Sequence, residues 1–145
     1  IVSGRKDEEY TDDKGWKHVS KEDLFKLSDV ISLHAPETEE TKRIINSETI
    51  SMMKDGVLLV NSSRGGLIDE EALSEALNNG KVGGAAVDVV STEPIRSNNP
   101  LLKAKNCIIT PHMAWGAKEA RERIVETTLS NIRAFKKGKP QNVVN

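Results

Sequence analysis

An arginine set directly after an apolar run is the first residue of this chain that could do chemistry. The run reads Val57-Leu58-Leu59-Val60-Asn61-Ser62-Ser63-Arg64-Gly65-Gly66. Four apolar residues, two of them β-branched, predict a buried strand, and Arg64 falls at its carboxyl end. A guanidinium is a planar fork that suits a carboxylate, and a small anionic substrate needs such a partner. Other polar groups stand in comparable places: His34 after Val30-Ile31-Ser32-Leu33, Asp88 with Glu93 after a run of small residues, and His112 after Cys107-Ile108-Ile109-Thr110. Each has a plain alternative when taken alone. Arg64 could be a solvated turn residue, Asp88 a helix cap and Glu93 a surface loop residue. His112 could be a solvated histidine after a proline. His18 reads as solvated and His34 as mostly structural.

Those residues are positioned by an alternation of strands and helices. Ser20 can cap a short helix with Glu22 and Asp23 in its first turn and Leu24, Phe25 and Leu27 on one side. Residues 7–17 read as a loop. Ser47 is the expected cap of a helix carrying Ile50, Met52 and Met53, both methionines serving as packing. Asp69 is the expected N-cap of a helix with Ala72, Leu73, Ala76 and Leu77 at helical spacing, stopped by Asn79-Gly80. Residues 117–137 carry Ile124, Val125, Leu129, Ile132 and Phe135 on one stripe, with Gly138 as the stop. This alternation predicts an α/β fold with a parallel sheet. In such a sheet ligands bind beyond the carboxyl ends of the strands, where the polar groups cluster.

Composition narrows the class. Of 145 residues 37% are hydrophobic and 30% charged, as in a folded protein. Twenty-one basic and 22 acidic side chains give a net charge of −1, which speaks against a nucleic-acid face or a membrane-surface tail. No apolar run approaches the roughly 20 residues that span a bilayer. The single cysteine, Cys107, reads as a buried apolar residue in a reducing compartment.

Several motifs in order resemble the D-isomer-specific 2-hydroxyacid dehydrogenases. They are Leu33-His34-Ala35-Pro36-Glu37-Thr38-Glu39-Glu40-Thr41, Val60 to Gly66, Ala86-Val87-Asp88-Val89 with Glu93-Pro94, and Thr110-Pro111-His112. His112-Met113-Ala114-Trp115 looks more like the glycerate dehydrogenase and hydroxypyruvate reductase branch. The resemblance implies a Rossmann-type, doubly wound nucleotide-binding domain and hydride transfer between NAD(P)H and a small 2-keto or 2-hydroxy acid. It implies Arg64, Glu93 and His112 as the catalytic set. Arg64 would bind the substrate carboxylate and polarise its carbonyl. His112 would exchange the proton, and Glu93 would hold the imidazole and favour its charged form. Ala35, Pro36, Thr41, Ser62, Ser63, Arg64, Asp88 and His112 match positions beside the cofactor, with no metal. A homodimer in the cytoplasm is implied as well. The same fold also serves dinucleotide-sensing corepressors, the alternative from another class.

The chain departs from the family pattern in one respect. The turn G-x-G-x-x-G, which holds the pyrophosphate in family members, does not occur in it. Residues 1–145 are therefore read as a partial dinucleotide-binding domain, incomplete at its N-terminus, that lacks the first strand and the substrate domain. Such a piece is expected to bind dinucleotide poorly and to turn over little. In the strand order 3-2-1-4-5-6 the missing strand would leave Val57–Val60 beside a gap, with Ile1-Val2-Ser3 poorly placed or held by another chain. NAD is the expected cofactor. NADP stays open because Ser3-Gly4-Arg5-Lys6 offers two bases and no acid for the ribose.

Overall fold

A computed structural model describes residues 1–4 and 8–144. They form two compact units, Ile1–Pro111 and His112–Asn145. Arg5 and Lys6, the bases considered for a 2′-phosphate, lie outside the described residues.

The first unit is built on four parallel strands in the order β3-β4-β5-β6: Val30–Leu33, Val57–Asn61, Val82–Val87 and Cys107–Ile109. This is the predicted Rossmann-like α/β sheet. Helix α1 (Lys21–Leu27) precedes the first of them, and α2 (Ser47–Met52) and α3 (Glu70–Asn79) lie between successive strands in sequence. Their apolar sides share one core with alternate strand residues. Phe25, Ile31, Ile50, Leu59, Leu73, Leu77, Ala85 and Val87 all belong to it. Period two then decides the other sheet face, where Val30, Leu58 and Ile108 are exposed.

Local chemistry sets the helix boundaries. Ser20 accepts from the Asp23 amide, and Asp69 from the Ala72 amide, as expected of N-caps. Gly80 closes α3 at φ 86°, a left-handed conformation glycine takes without steric cost. The cap of α2 is Asn46, one residue before the expected Ser47. Its side chain accepts from the Thr49 amide while the Thr49 hydroxyl accepts from the Asn46 amide, a reciprocal pair that serine at 47 cannot make.

The stretch before α1 is not the loop its polarity predicts. Tyr10–Thr11 (β1) and Lys17–His18 (β2) pair antiparallel. Asp12 closes the turn by accepting from the Lys14 and Trp16 amides. The Trp16 amide above all lowers the Asp12 pKa. His18 is not solvated as expected. Its ring stacks on Tyr10 with centroids 4.1 Å apart, and its Nε2 lies 3.1 Å from Asp12 Oδ2.

Val2 is held by its own chain, through a parallel bridge to His18 with the Val2 amide on the Lys17 carbonyl at 2.9 Å. Among the described residues Val30–Leu33 is the end strand of the four-stranded sheet, and the expectation of a gap beside Val57–Val60 does not hold. Val57–Asn61 is paired on both sides. Two-residue strands carry no readable alternation, and neither Tyr10–Thr11 nor Lys17–His18 is therefore legible in the sequence.

The second unit contains α4, Lys118–Lys136. Its predicted stripe is present, yet no residue of α4 is buried, and Ile124, Val125, Leu129, Ile132 and Phe135 are all exposed. Cys107 is half-buried rather than fully inside, and burial pushes its thiol pKa up. Among the described residues no helix is long and apolar enough to cross a membrane.

Candidate active site

Sheet register brings the polar groups of the first unit to one edge. Leu33, Asn61, Val87 and Ile109 stand side by side across the four strands. The residues that follow them, His34, Ser62, Asp88 and Thr110, therefore leave the sheet at the same level. This is the carboxyl edge, where parallel α/β sheets receive ligands.

Asn61 shapes the turn that carries Arg64. Its side chain is buried, 1% exposed, and accepts from the Ser63 amide at 3.0 Å while donating to the Arg64 carbonyl at 2.9 Å. This side-chain turn holds residues 61–64 in one conformation and leaves the arginine side chain outward. Arg64 is exposed, with Nη1 donating to the Ser63 carbonyl at 2.7 Å. Asn61 was not among the residues singled out from sequence. An asparagine at a strand end, two residues before a serine, was the available signal.

The neighbouring loops are tied to this turn. Ser63 Oγ donates to the Ala35 carbonyl at 2.6 Å, joining the loop after β3 to the loop after β4. Thr41 Oγ1 donates to the Pro36 carbonyl at 2.6 Å and accepts from the Thr38 amide at 2.8 Å, which closes residues 36–41 into a compact loop. Ala35, Pro36, Thr41, Ser62, Ser63 and Arg64 thus belong to one connected rim. Asp88 is buried at 9% exposure. Its amide donates to the Asn61 carbonyl at 2.8 Å, and its carboxylate accepts from Thr110 Oγ1.

The loop after β5 is pressed against the arginine turn. A Cβ on Gly65 would fall inside the backbone of Val90 and Ser91, so only glycine lets the two segments cross there. Glu93, joined to Pro94 by a cis peptide bond, turns back so that Oε1 accepts from the Val90 amide at 3.3 Å. Arg64 and Glu93 thereby lie on two loops in backbone contact at Gly65. His34 is exposed, its Nε2 2.9 Å from Ser32 Oγ.

His112 opens the second unit. It is exposed and sits at φ 52°, a left-handed conformation uncommon for a residue with a Cβ. Trp115 Nε1 donates to its carbonyl at 2.8 Å, which fixes the turn that follows. The unexpected conformation and the indole bond are what the structure adds to this residue.

The donor set fits the nicotinamide and adjoining ribose of a dinucleotide. Hydroxyls, backbone groups and one buried carboxylate line the strand ends, with no cluster of three or more metal-ligating side chains among the described residues.

Comparison with known proteins places the chain. Residues 1–114 match the family model for the D-isomer specific 2-hydroxyacid dehydrogenase NAD binding domain. The chain is 54% identical over 129 residues to a hydroxypyruvate reductase of Blautia hydrogenotrophica, covering 89% of this chain and 40% of that protein. It is 47% identical over 128 residues to a glycerate dehydrogenase of Methylorubrum extorquens, covering 87% and 41%. The fold matches a D-lactate dehydrogenase from Aquifex aeolicus complexed with NAD and lactic acid, with a TM-score of 0.74, 41% identity and coverage of 84% and 41%. It also matches an acyclic imino acid reductase in complex with NADPH and D-Arg, with a TM-score of 0.83, 36% identity and coverage of 92% and 43%. The chain therefore spans about 40% of the length of the curated relatives it matches. With motifs, register and comparisons in agreement, this chain belongs to the NAD-binding domain of the D-isomer specific 2-hydroxyacid dehydrogenases.

Proposed function

We propose that the polypeptide carrying residues 1–145 is an NAD(P)-dependent D-2-hydroxyacid dehydrogenase acting on glycerate and hydroxypyruvate, and that residues 1–145 form part of its dinucleotide-binding domain. One observation carries the reading: Arg64 and Glu93 are presented on two loops that cross at Gly65, on the carboxyl edge of a parallel sheet. The Blautia and Methylorubrum relatives support the substrate class.

The nicotinamide, when bound, supplies or accepts the hydride. Ala35, Pro36, Thr41, Ser62, Ser63 and Asp88 would line it. Arg64 would release its bond to the Ser63 carbonyl and turn its fork to the substrate carboxylate, which is a stronger, charge-assisted partner. Its positive charge also polarises the adjacent carbonyl. His112 would deliver a proton to the carbonyl oxygen in reduction and take it back in oxidation, with the Glu93 carboxylate favouring the charged imidazole. NAD is preferred on the family's name, and NADPH in the imino acid reductase keeps NADP open. A cytoplasmic homodimer is part of the same reading, and light scattering on the whole polypeptide tests the dimer.

The test is oxidation of NADH and NADPH by the whole polypeptide with hydroxypyruvate, glyoxylate and pyruvate. Turnover is expected to be fastest with hydroxypyruvate. Arg64→Ala and His112→Ala are each expected to lower kcat/KM by about 1,000-fold. Tight dinucleotide binding with no turnover on any 2-keto acid would replace this reading with the sensing corepressor.

A further inference from the structure

The loop that carries Glu93 is strapped at two points by one carboxylate from α3. Glu70 is the first residue of that helix. Its Oε1 accepts from the Ser91 amide at 2.7 Å. Its Oε2 accepts from Ser91 Oγ at 2.7 Å and from Asn99 Nδ2 at 2.9 Å. Ser91 stands at one end of the loop and Asn99 at the other, with Glu93 between them. Asn99 is buried and fixed in turn, its Oδ1 accepting from the Leu101 amide at 3.0 Å. Ser91 follows Val90, whose amide holds Glu93 Oε1. The chain of contacts therefore runs from Glu70 through Ser91 and Val90 to the Glu93 carboxylate.

We infer that Glu70 is a positioning residue for the reaction, setting where Glu93 stands by closing the neck of its loop. The inference rests on the dehydrogenase reading above. The chemistry of the strap asks for a carboxylate. All three partners donate, and only an acceptor-only group takes three donors with two oxygens. The helix N-terminus favours its negative charge. Glutamine would turn an N–H toward Asn99 Nδ2, leaving the far end of the neck untied. Gly65 completes the device, because the Val90–Ser91 backbone lies directly on it.

The test is a double-mutant cycle on the whole polypeptide, reading kcat and KM for hydroxypyruvate. Glu70→Ala is expected to lower kcat by roughly 10- to 100-fold, the size of effect a small displacement of a reacting group produces, with KM little changed. Glu70→Gln is expected to fall between wild type and Glu70→Ala. In a Glu93→Gln background the same Glu70→Ala change is expected to cost less than about threefold, because residues that act through one another are not additive. An equal loss in both backgrounds, or no loss in the wild-type background, overturns the inference while leaving the dehydrogenase reading intact. If Glu70→Ala does not fold, Glu70→Gln carries the same cycle. Absence of turnover in the unmutated protein overturns the dehydrogenase reading, and this inference with it.

Discussion

Helices α3 and α4 are both amphipathic in sequence, yet they are held in opposite ways. Helix α3 buries Leu73, Ser74, Ala76 and Leu77 against the sheet, and Ser74 Oγ donates to the Pro100 carbonyl. Helix α4 is nearly twice as long, 19 residues against 10, and buries none. An apolar stripe states which side of a helix wants cover. It does not state that the cover is present. The consequence for the site is direct. Arg64, Asp88 and Glu93 rest on a unit whose own core fixes them, whereas α4 follows His112 in a unit with no buried helical residue.

Three substitutions would sharpen or break that contrast. The largest effect is expected from Leu73→Ala. Leu73 is 0% exposed, and its removal leaves a cavity in the shared core. Denaturant unfolding of the chain should show a loss of about 2–5 kcal/mol. Gly65→Ala should come next. The new methyl meets backbone at Val90 and Ser91, and relieving that overlap costs about 1–3 kcal/mol in the same measurement. The loop bearing Glu93 must shift in that variant, so hydrogen exchange should rise at residues 89–93 while the α3 amides stay protected. The smallest effect is expected from Leu129→Ala. At 47% exposure Leu129 packs little, and the change should stay within about 0.5 kcal/mol. A Leu129→Ala loss equal to that of Leu73→Ala would mean that α4 is covered in solution, and the contrast between the helices would fall.

Much of this architecture was legible because it is local. The Asp69 cap, the left-handed Gly80 and the four main strands each follow from a few adjacent residues. So does the arrival of Arg64 and Asp88 at one edge, once the strands are parallel. What escaped was either too short or too distant. Lys17–His18 has two residues, which cannot show period two, and so its strand was missed; Val57–Asn61, expected beside a gap, is paired on both sides. His18 read as solvated because its partners, Tyr10 and Asp12, meet it only through a hairpin.

The site divides along the same line. The residue types and their order marked Arg64, Asp88, Glu93 and His112 as the groups to watch, and the family resemblance supplied their expected roles. Only tertiary structure decided how Glu93 is held. Glu70 reaches Ser91 across 21 residues and Asn99 across 29, and Gly65 meets Val90 across a turn between different strands. From sequence Glu70 is simply an acid in the first turn of a helix. Hydrogen bonds between segments so far apart leave no periodicity behind, and they exist only once the hydrophobic core has brought α3 and the loop after β5 together.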